Sequence, residues 1–463
     1  MKDEISHETE HDAAQRPPAL AAVTAMALEQ PPEAFPEETR AQAALLLLDT
    51  LGIAAAAAPM EAGRIARNTA CRLMGAGQTQ DAAPLLFDGR RASVAGAAYA
   101  AASQIDNLDG HDGYNPAKGH VGCAVVPALL ALAERNPALD GREALAALVM
   151  AYEVASRAGV ALHATVPDYH TSGAWNALGV AALAARLRAQ NPGQLRETLG
   201  IAEYHGPRSQ MMREIATPTM LHDGSGWGAL AGLSAAILAE EGFTGAPAVT
   251  IEAPEAAPFW ADLEESWLIQ AQYVKPFPTC RWSHAPMEGA ARLRAAHDLD
   301  PSRIARVHIR SFANAVALYA GMPDTTSQAQ YSLPFAVAAM LVHGQVGLSQ
   351  ISGAGLTDPR VARLVACTTT EIAAEHEARF PADRRADLIL TLQDGARVEA
   401  LDIGTRGGPD APFSREEVVA KFMAFASPAI GESRAVAIRD ATLALDRPGQ
   451  KVSALTQHLY APP

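Results

Sequence analysis

The sequence predicts a mainly α-helical protein in which a large all-helical domain is followed by a smaller α+β domain. Three observations carry this. Hydrophobic residues make up 49% of the chain and aromatics only 5%, with alanine conspicuous; small side chains suit closely packed helices better than sandwiches built on β-branched and aromatic residues. From about residue 31 to 245, long apolar runs pass without breaker clusters. Near Tyr273 the texture changes to shorter segments with branched residues set between charges.

In chain order, helices are predicted over 37–58, 92–107, 122–135, 142–162, 173–188, 194–205 and 226–241. Several are apolar all round and so belong to the interior. Asp140-Gly141 and Asn191-Pro192-Gly193 are turn and cap signals. Beyond Val274-Lys275-Pro276-Phe277-Pro278 come a helix over 285–297 and a strand over 304–312. A hairpin follows over 388–393 and 397–403, turning at Asp394-Gly395. Helices over 333–343 and 360–376 lie between these strands, and 414–445 is helical again. The chain thus divides into a disordered tail (1–18), a helical domain (19–274), an α+β domain (275–408) and a C-terminal return (409–463) that packs back on the helical domain. A cleft between two such lobes is a usual place for a ligand.

The formal net charge is −14. That excess argues against nucleic acid or an anionic membrane as partner, since both need clustered positive charge. Only five basic residues are lysines, Lys2, Lys118, Lys275, Lys421 and Lys451; the other thirty-two are arginines. Cys71, Cys123, Cys280 and Cys367 form no CxxC, so neither a zinc site nor a disulfide scaffold is expected. The polar N-terminus lacks a signal-peptide pattern, and the apolar run over 43–60 contains Asp49 and Gly52, which marks a buried helix and not a membrane span. A cytoplasmic protein is expected.

Four segments concentrate chemistry. The densest runs from Asp106 to His120 and holds Asp106, Asp109, His111, Asp112, Lys118 and His120 between two apolar helices; carboxylates, imidazoles and an ammonium there exceed what a connector needs. Asp168-Tyr169-His170-Thr171-Ser172 precedes another helix, with His170 as structural or catalytic histidine. The third, Arg213 to Trp227, includes His222-Asp223-Gly224-Ser225-Gly226 at a helix start, where glycines allow either an anion site on free N–H groups or close helix packing. The fourth is Lys275-Pro276-Phe277-Pro278-Thr279-Cys280-Arg281-Trp282-Ser283-His284, at the domain boundary. Lys275 and Arg281 suit a carboxylate ligand, with Arg281 able to bind it bidentately.

These segments, with several others, resemble the MmgE/PrpD superfamily of 2-methylcitrate dehydratases, cis-aconitate decarboxylases and iminodisuccinate epimerases. The resemblance spans nearly the whole chain. It is carried by Leu46-Leu47-Leu48-Asp49-Thr50-Leu51-Gly52, by Asp106-Asn107-Leu108-Asp109 with Gly119-His120, and by Val125-Val126-Pro127-Ala128-Leu129-Leu130-Ala131-Leu132-Ala133-Glu134. It continues in Ala151-Tyr152-Glu153-Val154, Gly242-Phe243-Thr244-Gly245, Lys275-Pro276-Phe277-Pro278 and Gln330-Tyr331-Ser332-Leu333-Pro334. The resemblance implies a helical domain with an α+β lid, a homodimer, no obligatory cofactor or metal, and a site between the lobes. By position it implies Asp106 as the acidic residue, His120 as general acid/base, His170 as second histidine, Lys275 as lid lysine and Tyr331 as lid tyrosine. His111, Lys118, His222, Cys280 and Arg281 are the accompanying substrate-binding candidates.

The departures are specific. Gly110 and His111 follow Asp109 where the decarboxylases have Asp-Thr. The family lysine of the third segment has no counterpart, His222 standing nearest, and Cys280 falls where some decarboxylases carry a histidine. These features point away from cis-aconitate decarboxylation. The chemistry shared by the family is proton transfer at a carbon next to a carboxylate, which needs a proton carrier of near-neutral pKa and cations facing the developing charge. His120 is the expected carrier with Asp106 orienting its ring, Lys275 and Arg281 the cations, and His170 or Tyr331 the acid for a leaving hydroxyl. The expectation is a cofactor-independent lyase or isomerase acting on a di- or tricarboxylate, with 2-methylcitrate-type dehydration foremost. Epimerisation or isomerisation of an iminodisuccinate- or aconitate-like substrate is the alternative. Two other classes compete: a metal-dependent prenyl diphosphate enzyme using the aspartates, which lacks a second Asp-rich segment, and a non-catalytic carboxylate-binding homologue.

Overall fold

The computed structural model describes residues 17–76 and 81–463; the expected tail, apart from Pro17 and Pro18, lies outside them. The protein is 58% helical with 9% strand, a mainly α fold with a smaller α+β part. The helices used below are α1 (Glu37–Ala57), α2 (Glu61–Leu73), α3 (Val94–Asp106), α4 (Gly122–Ala133), α5 (Gly141–Thr165), α6 (Gly173–Leu187), α7 (Pro192–His205), α8 (Met211–Ala216) and α9 (Ser225–Glu240). In the second lobe and the return they are α10 (His284–His297), α11 (Leu333–His343), α12 (Pro359–Ala366), α13 (Arg415–Ile430) and α14 (Glu432–Leu443).

Small side chains let the helices of the first lobe cross closely. A Cβ on Gly179 of α6 would meet the Ala151 carbonyl of α5 at 2.6 Å, and one on Gly232 of α9 would meet the Ala177 carbonyl of α6 at the same distance. Glycine at these crossings brings the axes together, and alanines fill the space between. Helices α1 and α5 are long and apolar enough to cross a membrane, but 83% and 94% of their apolar windows are buried inside the protein. Asp140 caps α5, its side chain accepting from the Arg142 N–H at 3.0 Å, and Asn191 with Gln194 forms a capping box on α7. A short hairpin, β1 (Ala82–Pro84) with β2 (Arg91–Ser93), precedes α3.

The second lobe is a four-stranded sheet, order β4-β3-β5-β6, with α10 packed on β5 and β6 and α11 behind α10. Strands β3 (Ile304–Ser311), β5 (Ala386–Leu392) and β6 (Arg397–Ile403) pair antiparallel, and Gly395 turns the hairpin at φ +87°. The helix expected over 360–376 ends at Ala366. Thr368–Ile372 is instead strand β4, parallel to β3. Three consecutive threonines favour an extended chain. As an edge strand exposed along its length, β4 lacks the alternation that marks a half-buried strand. The return carries two long helices, broken at Gly431 (φ +82°), and a short one at Ser453–Thr456, and α13 lies along α1.

Candidate active site

The loop between α3 and α4 is fixed from three sides, which places its imidazoles. Gly113 and Tyr273 exchange backbone hydrogen bonds at 3.0 and 2.7 Å, tying the loop to the start of the second lobe. Lys421 of α13 donates to the Gly110 carbonyl at 2.7 Å and pairs with buried Asp49 of α1 at 2.5 Å. Gln330 donates to the Asn107 carbonyl at 3.0 Å and, through its own carbonyl, accepts from Cys280 N–H at 2.9 Å. A Cβ on Gly113 would fall 2.4 Å from the Tyr273 hydroxyl and 2.8 Å from Nδ1 of His120, so only glycine fits beside the imidazole.

His120 is buried, and its Nδ1 donates to the Asp112 carbonyl at 2.5 Å. A carbonyl accepts only, so the proton sits on Nδ1 and Nε2 carries the free lone pair. Nε2 lies 3.6 Å from the Asp223 carboxylate, which is itself held by the Ser172 hydroxyl at 2.7 Å. Burial and the Lys275 charge push the His120 imidazole below its ordinary 6.5, so it rests as a neutral base. His111 packs edge-on against His120, ring centres 4.5 Å apart, and burial holds it neutral as well.

Asp106 has a role other than the expected one. It ends α3 and reaches across to the first turn of α9, accepting from Ser225 N–H at 2.8 Å, while the Asp112 carbonyl sets the His120 ring. Of the two readings of this helix start, an anion site or close helix packing, the structure shows its free N–H taken by the protein's own carboxylate and Gly226 packed so tightly that a Cβ would meet the Ser103 hydroxyl at 2.1 Å. Burial and the Asp223 charge push the Asp106 carboxyl above its ordinary range.

One cavity collects most of the remaining candidates. His120, Lys118, Lys275, Cys280, Arg281 and Tyr331 line it, together with Asp109 and Asp223. Its free space is about 20 Å³, room for one water. Lys275, fully buried, is paired with Asp109, and that carboxyl is pushed up to about 6 by burial. Arg281 stacks on Tyr273 at 4.5 Å and donates to the Arg406 carbonyl at 2.8 Å. Lys118 lies over the Tyr169 ring at 4.6 Å. Burial pushes the Cys280 thiol up to about 12, so it stays protonated. Tyr331 donates to Glu214 of α8, whose carboxyl burial and nearby aspartates hold well above the usual range.

His222 and Asp106 line a neighbouring cavity of about 680 Å³, and Glu214 forms part of its wall. Among its described lining residues Arg213 is the one fixed cation, whereas Lys118, Lys275, Arg281 and Arg384 all line the cavity of His120. His222 still approaches the Tyr331 hydroxyl at 3.5 Å. His170 lines neither cavity; its backbone bonds to the His163 ring and bridges to Gln210.

Sequence reading missed Asp223, Glu214, Arg384 and Lys421 as site residues. Asp223 stood beside His222 in a segment already singled out, and Lys421 carried the signal of lysine scarcity. Arg384, one of thirty-two arginines, carried no signal.

Two groups of metal-ligand type share His111: Asp109 with His120, and Asp106 with Cys123, their ligand atoms within 4.8 Å of one another. Most already have protein partners, Asp109 on Lys275, His120 on Asp112 and Asp106 on Ser225. Turnover retained in excess chelator is the outcome an acid–base site requires; loss of turnover that zinc or iron restores would instead make these groups a metal centre.

The fold is thus a two-lobed, mainly helical one that buries the His120 imidazole beside lysine and arginine side chains. The chain belongs to the MmgE/PrpD family: residues 21–257 match the MmgE/PrpD N-terminal domain and 277–447 the C-terminal domain. It is 24% identical over 408 residues to the cis-aconitate decarboxylase-like protein oryM of Aspergillus oryzae, covering 77% of this chain and 80% of that protein. It is 23% identical over 417 residues to a cis-aconitate decarboxylase of Aspergillus terreus, covering 82% and 81%.

Proposed function

We propose that the protein is a cofactor-independent lyase that moves a proton at a carbon next to a carboxylate of a di- or tricarboxylate, with 2-methylcitrate-type dehydration as the reaction. The observation that carries this is that a neutral base, His120 Nε2, and a hydroxyl acid, Tyr331, line one cavity with Lys118, Lys275 and Arg281. Elimination of water needs both a base for the C–H and an acid for the leaving hydroxyl. His120 takes the proton, and Asp223, 3.6 Å away, stabilises the imidazolium. Tyr331 protonates the leaving oxygen and is resupplied by Glu214, whose raised pKa keeps a proton available. The cations receive the charge that builds on the substrate carboxylate. With room for one water, substrate access requires the α+β lobe to move as a lid.

The relatives' names favour a second reading, decarboxylation of cis-aconitate, in which His120 would protonate the carbanion left by loss of CO₂. Cys280 and the lack of a lysine at His222, both departures from the resemblance to the decarboxylases, weaken that second reading. Assay of 2-methylcitrate, citrate, cis-aconitate and iminodisuccinate separates the readings: a conjugated alkene formed from a hydroxy acid supports dehydration, and CO₂ release from cis-aconitate replaces it.

The pH profile is a further test. Protonation silences the base, so activity falls on the acid side. In the free enzyme burial pushes the His120 imidazole down to about 4, so kcat/KM, corrected for substrate ionisation, holds its plateau at pH 6. Bound carboxylates favour the imidazolium, so the acid limb of kcat lies at higher pH than that of kcat/KM. An acid limb of kcat/KM at or above 6.5 contradicts the assignment.

A further inference from the structure

Five arginines are buried among the described residues: Arg40, Arg67, Arg157, Arg281 and Arg384. The first three pair with carboxylates, Arg40 with Asp446, Arg67 with Asp88, and Arg157 with Glu153 and Asp262. Among the described residues Arg281 and Arg384 have no carboxylate within ion-pair distance, and both line the cavity that holds His120. Arg281 at least donates to the Arg406 carbonyl. Arg384 is 4% exposed, its Nε is buried with no hydrogen-bond partner among the described residues, and its guanidinium lies 5.9 and 6.0 Å from the ring centres of Tyr273 and Phe380. A buried charge without counter-ion or hydrogen bond is costly unless something fills its donors.

The other cations there do not relieve it. Lys275 is already neutralised by Asp109. Lys118 has no acid partner among the described residues and, like Arg281, feels the repulsion of Arg384. Three cations without acid partners, Lys118, Arg281 and Arg384, thus surround one small cavity. The segment that brings Arg384 lies in the second lobe, just before β5, and touches the His120 loop where Asn115 donates to the Ala382 carbonyl at 3.3 Å. Arg384 thus reaches the cavity from the second lobe.

We propose that Arg384 is a carboxylate-binding residue brought in by the α+β lobe, and that it selects a ligand with a third carboxylate over the matching dicarboxylate. The inference rests on the reading of this cavity as the active site. Its planar fork binds one carboxylate bidentately, and the ligand's charges replace the missing counter-ions.

Tricarballylate and glutarate test it, because they differ by one carboxylate and neither carries a hydroxyl to eliminate. Titration calorimetry on the full chain is expected to show tricarballylate bound roughly 10- to 100-fold more tightly than glutarate. Arg384→Gln should reduce that ratio to near unity, and Arg384→Lys should keep part of it, with melting temperatures recorded for both. A ratio unchanged in Arg384→Gln, or no preference in the wild type, overturns the role of Arg384 and leaves the proposed reaction standing if turnover is found. A wild type that binds neither ligand and converts no polycarboxylate overturns both.

Discussion

Replacing His120 by alanine is expected to lower kcat on the true substrate by about 10²- to 10⁴-fold, the usual worth of a positioned proton carrier. The ring is singled out by its setting. Nδ1 is spent on the Asp112 carbonyl, so the only basic atom is Nε2, which lies beside Asp223. Among the described residues no second imidazole lines this cavity: His111 packs behind His120, His222 lines the neighbouring cavity, and His170 lines neither. Substitution should therefore not be covered by a neighbour. Binding of tricarballylate should survive, since the cations remain, so the loss should appear in kcat more than in affinity. Asp223→Asn, which leaves the base and removes the charge stabilising its imidazolium, should give a smaller loss in the same direction.

Replacing Lys421 by methionine is expected to destabilise the protein by about 3–5 kcal/mol, the cost of leaving a buried partner charge uncompensated. Lys421 joins three parts of the chain: it sits on α13, neutralises Asp49 inside α1, and holds the Gly110 carbonyl next to His111. Asp49 is fully buried, and burial pushes its carboxyl above the ordinary range even with the lysine beside it. Without the lysine it must protonate or unfold its surroundings. Thermal melts should show a large fall in Tm for Lys421→Met and partial recovery in Lys421→Met with Asp49→Asn, because the second change removes the stranded charge. Activity should not recover in the double variant, since the loop carbonyl has still lost its donor. Equal melting of the two variants would mean that the pair is not what α13 contributes.

Much of the helical lobe was legible because its signals are local. Alanine and leucine runs mark α3 to α6 and α9, and Asp140 and Asn191 mark starts that their side chains do cap. Strand β4 was not legible, because a threonine-rich edge strand is specified by pairing with β3, sixty residues earlier, and not by its own pattern. In the site, the cluster over 106–120 stood out by density, and the scarcity of lysine pointed to Lys118 and Lys275. The same argument applied to Lys421 would have led to α13. What could not be read was partnership. Whether Asp106 or a backbone carbonyl orients His120 depends on how α3 and α9 cross, and whether an arginine is paired depends on residues a hundred positions away, as with Arg157 and Asp262. Only the fold shows that Arg384 is buried without a counter-ion.

Hydrogen–deuterium exchange at carbon tests the central claim most directly. The protein is incubated in deuterated water with 2-methylcitrate, citrate, cis-aconitate and iminodisuccinate, and label at each carbon is followed by NMR. A proton carrier at His120 predicts deuterium at a single carbon next to a carboxylate with the wild type, and its disappearance with His120→Ala. Exchange that persists in His120→Ala, or a wild type that binds these acids and exchanges none of their carbon-bound protons, would contradict it.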